Sequence, residues 1–291
     1  MTWRPGLNEY APIQHLALVH PDQAFRSETY IEAHWRDNEF VGAPSLRQSI
    51  EEYENFAEVV ADKGTTVDYF PDDDRLQMAA LYVRDASIVG PEGMILCGMR
   101  NAYRAAEPAV HQDLYRALGI PVVGAISGQG LLEGGDIVWL DEMTCAVARG
   151  HRTNAEGIRQ LRALLGPAIH VEVVPLPHYK GTSEVLHLMS ILSPLSADLA
   201  LVYSRLMPVP FREWLQDRGI KLVELPDEEY DTQGGNVLAI APRCCVTVEG
   251  NPMTRARLEA AGCEVIPFPG QEISVKGAGG PTCLTRPLVR A

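Results

Sequence analysis

The stretch from Ile137 to Pro175 decides the fold class. It reads as a strand, Ile137-Val138-Trp139-Leu140, a second strand, Thr144-Cys145-Ala146-Val147-Ala148, an amphipathic helix from Asn154 to Leu165, and a third strand, His170-Val171-Glu172-Val173-Val174-Pro175. The same order returns as strands at 237–240 and 245–248, a helix at 252–261 and a strand at 264–267. A unit that recurs along one chain is typical of a repeat architecture.

Three further stretches fit this ββαβ unit more loosely. They span residues 87–123, residues 187–225 and, less completely, residues 15–70. Ser45 is predicted to cap the helix at 45–63 through its side chain. Five units predict an α/β ring around a central channel rather than a plain α/β sandwich, with residues 1–291 forming a single domain.

Composition narrows the classes of partner. The chain has 38 Asp and Glu residues against 25 Lys and Arg. This balance disfavours nucleic acid and is compatible with a cationic ligand. No apolar run reaches the roughly 18 to 20 residues that span a bilayer, and the start has no hydrophobic signal core, so we expect a cytoplasmic protein with no membrane partner.

The cysteines do not form a recognisable disulfide or metal pattern. None belongs to a CxxC pair, and six are too few and too scattered for a disulfide scaffold in a chain this long. Five are interpreted as ordinary small buried residues: Cys97, Cys145, Cys244, Cys245 and Cys263. No ligand spacing such as HExxH occurs, which disfavours a zinc hydrolase.

The sixth cysteine, Cys283, is a candidate nucleophile. It follows the glycine-dense run Gly277-Ala278-Gly279-Gly280, where backbone can approach a ligand closely. A small residue that fills a gap is the alternative. His187 lies in an apolar run, where a histidine is more often a core residue than a catalyst. Its combination with a cysteine points instead to an acid/base role.

Two carboxylates occupy otherwise apolar contexts. Asp85 and Glu133 each stand at the edge of a predicted strand, where an unpaired charge is costly to bury. Each therefore needs a cationic partner. A guanidinium ligand fits because its planar fork of donors matches a carboxylate, and a structural arginine is the alternative.

Five motifs, in their order along the chain, resemble the guanidino-modifying enzyme superfamily. They are Tyr82-Val83-Arg84-Asp85, Glu133-Gly134-Gly135-Asp136, Arg152-Thr153-Asn154 with Gly157, His187-Leu188 and Gly279-Gly280-Pro281-Thr282-Cys283-Leu284-Thr285. This superfamily includes arginine deiminases, amidinotransferases and dimethylarginine dimethylaminohydrolases. The resemblance implies a five-bladed α/β propeller, and the chain length is close to that of the dimethylarginine enzymes.

The resemblance also implies roles for individual residues. Cys283 becomes the nucleophile and His187 the general acid/base, with Glu133 in the catalytic set. Asp85 and Glu133 become guanidinium ligands, and Asp136 either a ligand or an orienter of His187. The remaining implied residues are arginines that hold the substrate carboxylate: Arg104 and Arg152.

These implied residue roles predict a reaction at the guanidinium carbon of an arginine derivative. A thiolate at Cys283 would add to the guanidinium carbon and give a covalent thiouronium, and His187 would assist its hydrolysis to a ureido product such as citrulline. No cofactor and no metal are expected. Arginine deimination, amidine transfer and non-catalytic binding of guanidino compounds remain alternatives, and a homo-oligomer remains open.

Two positions depart from the relatives. Met189 stands where deiminases and amidinotransferases carry an acid, two residues after the histidine. This favours the dimethylarginine branch and predicts an apolar contact for an N-substituted guanidinium. Ala79 stands where relatives have Asn or Asp near the substrate amino group, so the amino-group contact is expected to be weak.

Overall fold

A computed structural model describes residues 5–62, 64–181 and 186–291. Within them lie five three-stranded sheets, each with a first strand antiparallel to the middle strand and a third strand parallel to it. Four sheets use consecutive strands: β3 Ser87–Val89, β4 Met94–Leu96 and β5 Val122–Ala125; β6 Ile137–Asp141, β7 Thr144–Arg149 and β8 His170–Pro175; β9 Leu192–Ser196, β10 Leu199–Val202 and β11 Lys221–Glu224; β12 Leu238–Ala241, β13 Cys244–Val248 and β14 Glu264–Phe268. The predicted five-bladed α/β propeller is confirmed.

The two ends of the chain build the remaining sheet together. Its middle strand is β1 (Ile13–Leu18), which runs parallel to β2 (Thr66–Tyr69) and antiparallel to the C-terminal strand β15 (Arg286–Arg290). The sequence reading of residues 15–70 as a less complete unit missed β15. This pairing completes the fifth sheet of the ring. Strand β15 begins three residues after Cys283.

Helices connect the middle strand of each sheet to the third strand. Their bounds are α3 Leu46–Ala61, α4 Glu107–Ala117, α5 Ala155–Leu165, α6 Val209–Asp217 and α7 Pro252–Ala260, and the short helices α1 Pro21–Phe25 and α2 Glu28–His34 precede α3. The Asn154 side chain caps α5 by accepting from Gly157 N. Ser45 is the N-cap residue of α3 as predicted, but its side chain makes no capping hydrogen bond. Its backbone N–H donates to Glu272 Oε2 at 2.6 Å.

The first strands of neighbouring sheets are tied to one another around the ring. Trp139 in β6 donates to Val89 O in β3, and Ser193 in β9 accepts from Val237 N beside β12. Arg290 in β15 donates to Ala239 O in β12. These bonds between sheets bring the loops that precede the first strands to one place.

The loop before β9 also differs from its prediction. The unit predicted at residues 187–225 places its first strand at 187–192, whereas a single 3-10 turn covers Leu188–Ser190 and the strand begins at Leu192. His187 therefore lies in a loop and not within a sheet. No helix among the described residues is long and apolar enough to cross a bilayer.

Candidate active site

The loops that enter the first strands surround a small cavity. Asp85, Glu133, His187 and Cys283 come from four such loops, in front of β3, β6, β9 and β15. The cavity has a volume of about 40 Å³. Its lining includes both charged and apolar side chains: Asn38, Glu39, Ala79, Tyr82, Asp85, Tyr103, Arg104, Arg152, His187, Gly277, Ala278, Gly279 and Cys283. The structure thus brings together residues almost 200 positions apart in sequence.

His187 is held between two carboxylates. Its Nε2 lies 2.9 Å from Glu133 Oε2, and its Nδ1 lies 3.7 Å from Asp85 Oδ1. Burial lowers the pKa of His187, but the charges of Asp85, Asp136 and Glu133 outweigh burial and raise the pKa to about 9. The imidazole is therefore protonated at neutral pH, which is the form that a general acid requires.

Asp136 positions the histidine loop from behind the cavity. Its Oδ1 accepts from Leu188 N at 3.1 Å, and its Oδ2 accepts from the Thr153 hydroxyl at 2.6 Å. It is fully buried, and burial raises its pKa to about 6. Of the two roles predicted for Asp136, these contacts support the orienter of His187.

Two glycines let the backbone approach the catalytic groups. A Cβ added to Gly135 would lie 2.6 Å from His187 Nδ1 and 2.9 Å from Asp85 Oδ1, and one added to Gly134 would lie 2.1 Å from Arg84 O. Real Cβ atoms do not make such short contacts. With only hydrogen at this position, Gly135 N can donate to Asp85 Oδ1 at 3.1 Å.

Asp85 is paired with an arginine of the protein. Arg104 Nη1 donates to Asp85 Oδ2 at 2.6 Å, and its other donors reach Glu107 and Tyr82 O. Burial opposes the charge of Asp85, but His187 and Arg104 prevail, and the pKa of Asp85 is lowered. Arg104 lines the cavity as predicted, yet its donors point at protein acceptors, so its role toward a substrate carboxylate stays a prediction.

Arg152 keeps spare hydrogen-bonding capacity. Its Nη2 donates to Glu39 at 3.0 Å, its Nη1 lies 3.5 Å from Glu133, and its buried Nε has no partner. Its role in holding a carboxylate also stays a prediction. Glu39, which gathers bonds from Arg152, Asn101 and Tyr103, was missed because the surrounding polar residues carry no motif.

Cys283 is a neutral thiol before a ligand binds. Its side chain is half-buried, and burial, followed by the charge of Asp85, raises its pKa to about 11. Asn236 Nδ2 donates to Cys283 Sγ at 3.2 Å, and Asn236 Oδ1 accepts from Thr282 N at 2.9 Å. The amide thus holds the cysteine loop and directs a donor at the sulfur.

Asn236 is a second site residue that was not predicted from the sequence, although a repeated motif marks its position. Gly234-Gly235-Asn236-Val237-Leu238 repeats Gly134-Gly135-Asp136-Ile137-Val138, two sheet units further along the chain. Asp136 accepts from the backbone next to His187, and Asn236 accepts from the backbone next to Cys283. The repeat therefore marks two equivalent positions that each hold a neighbouring loop.

We expect Asn236→Ala to slow alkylation of Cys283 by iodoacetamide at pH 9 by about 10- to 100-fold. A hydrogen bond to a charged group contributes about 1.5 to 3 kcal/mol, and its loss lowers the thiolate fraction. The matched control is Thr282→Val, which removes the hydroxyl that Asn236 accepts from but keeps the donor to sulfur. An alkylation rate equal to that of the parent would show that Asn236 does not tune the thiol.

Three groups in this cluster have the chemistry of metal ligands. One atom each from Asp85, Glu133 and His187 can be chosen so that all lie within 4.8 Å of one another. In the structure these atoms are used by Arg104, Arg100 N and one another. A metal ion would have to displace Arg104 from Asp85 and separate His187 from Glu133. The expectation that the reaction needs no metal stays a prediction.

Ala79 and Met189, the two positions that depart from the relatives, lie in different surroundings. Ala79 lines the cavity, and its backbone N–H donates to Asn38. Met189 is buried in the apolar core and lines a separate cavity of about 10 Å³ with Leu192 and Val237. The predicted contact between Met189 and the guanidinium is therefore wrong, because Met189 lines this separate cavity and not the one that Asp85, His187 and Cys283 line.

Solved structures of other proteins share this fold. The chain is similar to the dimethylarginine dimethylaminohydrolase of Pseudomonas aeruginosa in complex with citrulline, with a TM-score of 0.73 and 22% identity over 96% of this chain and 100% of that one. It is also similar to SxtG, an amidinotransferase from Microseira wollei, with a TM-score of 0.79 and 16% identity over 100% and 98% of the two chains. The fold is that of the guanidino-modifying superfamily, as the sequence predicted.

Sequence comparison gives the family. A model described as arginine deiminase matches residues 78–211 and 208–290, so the chain belongs to the arginine deiminase family. The Rhodococcus erythropolis (strain PR4 / NBRC 100887) arginine deiminase is 29% identical over 72% of this chain, which spans 60% of that relative. The uncharacterised protein YkgA of Bacillus subtilis (strain 168) is 26% identical over 97% of this chain and 94% of its own length.

Proposed function

We propose that this protein hydrolyses the guanidinium group of an arginine derivative and forms a ureido product and an amine. The supporting observation is that Cys283, His187 and the buried carboxylate Asp85 line one cavity, while the buried carboxylate Glu133 is paired with His187. A thiol nucleophile, an acid/base and a cation-binding pair are the groups that attack on a guanidinium carbon needs.

Substrate binding has to displace a partner that the carboxylates already have. The cavity of about 40 Å³ holds only a few waters, since one water needs roughly 10 to 15 Å³. Asp85 holds Arg104, and Glu133 holds His187. A substrate guanidinium would take the place of Arg104 on Asp85, because both present the same planar fork of donors.

The bound cation would also activate the nucleophile. The charge of Asp85 is one cause of the high pKa of Cys283, and a cation on Asp85 offsets it. The thiol then loses its proton to solvent, because His187 is already protonated. Asn236 donates to the sulfur and stabilises the thiolate.

The covalent step follows from this state. The thiolate of Cys283 adds to the guanidinium carbon, the bond from carbon to the departing nitrogen breaks, and His187 gives that nitrogen its proton. A thiouronium remains on the sulfur. Neutral His187 then takes a proton from water, the hydroxide adds to the carbon, and the carbon–sulfur bond breaks to restore the thiolate, while the new hydroxyl loses its proton to solvent and becomes the ureido carbonyl.

A substrate panel tests this proposal and its chemical class. We expect ureido product from arginine, methylated arginines or shorter guanidino acids, with the deamino analogue losing less than tenfold in kcat/KM because Ala79 offers the amino group no side-chain acceptor. If arginine reacts more than tenfold better than every other compound of the panel and the deamino analogue is inert, the proposed specificity is wrong and the reaction is arginine deimination.

Acceleration by an added primary amine would instead identify amidine transfer. In that case the amine, and not water, would attack the thiouronium, and the product would be a new guanidine. Binding of guanidino compounds without any turnover would contradict an enzymatic role.

The ionisation of Cys283 supplies a further prediction. Without ligand, the thiolate absorbance at 240 nm, taken as the difference from Cys283→Ser, should rise with pH around an apparent pKa of about 11. A primary alkylamine that occupies the cavity as an unreactive cation should lower this value by about 1 to 3 units, because an opposite charge nearby favours the thiolate. An unchanged titration with bound amine would contradict activation of the thiol by the substrate.

A further inference from the structure

Three arginines are buried together where the first strands of the ring meet. Arg84 precedes β3, and Arg286 and Arg290 begin and end β15. Their exposed fractions are 1%, 4% and 4%. Burial lowers the pKa of Arg286 and of Arg290 to about 10, and both remain protonated at neutral pH.

Only one carboxylate accompanies these three charges. Glu9 Oε2 lies 3.2 Å from Arg84 Nη1 and 4.0 Å from Arg290 Nη2. Among residues 5–62, 64–181 and 186–291, no other acidic side chain lies within ion-pair distance of the three guanidinium groups. The cluster therefore carries an excess of positive charge inside the protein, where buried charges are normally paired.

The guanidinium groups also have donors to spare. Part of each group is satisfied by backbone: Arg84 Nε donates to Thr282 O, Arg286 Nη1 to Ser87 O, and Arg290 Nη1 to Ala11 O and Ala239 O. One buried nitrogen of each arginine has no hydrogen-bond partner: Arg84 Nη2, Arg286 Nε and Arg290 Nη2. Unpartnered buried donors are rare, and three in one cluster point to an acceptor that is not part of the chain.

A cavity of about 20 Å³ adjoins this cluster. Arg286 and Arg290 line it together with Glu9 and Trp139, while Arg84 lies outside its lining, so an acceptor there would serve Arg286 and Arg290. Pro5, Gly6 and Arg290 line both this cavity and a larger one of about 590 Å³, which offers a route of entry. Since one water needs roughly 10 to 15 Å³, the small cavity has room for one water molecule or one ion of similar size.

We propose that this cavity binds one small monovalent anion, of the size of chloride or bromide. Such an ion accepts hydrogen bonds from several N–H donors at once and offsets the excess positive charge. A water molecule fits the same space and accepts hydrogen bonds, but it leaves the charge unbalanced. This site is separate from the guanidine chemistry and does not depend on the proposed function.

Bromide is the probe that tests the site on the unmodified protein. At constant ionic strength, replacing gluconate with bromide should raise Tm by a few degrees and then saturate, because an ion that binds only the folded state stabilises it by mass action. Gluconate is too large for the cavity. Crystals grown in bromide should show an anomalous peak beside Arg286 and Arg290. The absence of both the Tm shift and the peak would show that the cavity holds water only.

Arg290→Gln should abolish the bromide dependence of Tm by removing one charge and one spare donor. The matched control is Arg116→Gln, a surface arginine paired with Asp113, which should keep the full dependence. If Arg290→Gln does not fold, Arg290→Lys keeps the charge and should retain a weaker dependence. An equal bromide response in Arg290→Gln and Arg116→Gln would overturn the assignment of the site.

Discussion

Cys283→Ser is expected to lower turnover by roughly 10³-fold or more without changing the fold. An alcohol near neutral pH is a far weaker nucleophile than a thiolate, and removal of a covalent nucleophile is among the largest single-residue effects in enzymes. The serine keeps nearly the same size and can still accept from Asn236. Steady-state formation of ureido product measures the effect, and Tm verifies the fold.

Cys145→Ser is the control for this experiment. Cys145 is buried in β7 and does not line the cavity, so any loss of activity there should follow a loss of folded protein. Cys283→Ser should also prevent the mass increase that marks a thiouronium. Activity of Cys283→Ser within tenfold of the parent would remove Cys283 from the mechanism.

The repeat made the ring predictable, whereas the closure of the ring was not. Each ββαβ unit has a local pattern of apolar strands and one amphipathic helix, which a sequence displays. The pairing of β15 with β1 joins the two ends of the chain, and no local pattern records such a contact. The same limit applies to His187, since an apolar run was read as a strand where a turn and a loop precede β9.

The identities of the site residues were more predictable than their partners. The motifs around Asp85, His187 and Cys283 lie at the entrance to first strands, which the repeat places on one side of the ring. Whether an arginine faces a substrate or a carboxylate depends on side-chain geometry. Arg104 is engaged by Asp85 and Glu107, and sequence spacing does not contain that information.

Buried histidines show why environment, and not burial alone, decides the role. His111 is as buried as His187, but its neighbours are Ser87 and Tyr115, and burial followed by the charge of Arg286 lowers its pKa to about 3. It is a neutral core histidine. The carboxylates around His187 reverse the direction of the shift and keep that ring charged at neutral pH.

His187→Ala should therefore lower kcat by about 10² to 10⁴, the usual contribution of a general acid/base. Both steps that use His187 should slow, but hydrolysis of the thiouronium should slow more, because solvent can protonate the departing nitrogen whereas water without a base is a weak nucleophile. Mass spectrometry of the variant mixed with substrate should then show an adduct on Cys283. His111→Ala is the matched control: it removes an equally buried ring and should lower Tm without trapping an adduct. Normal turnover with no adduct in His187→Ala would make His187 a core histidine like His111.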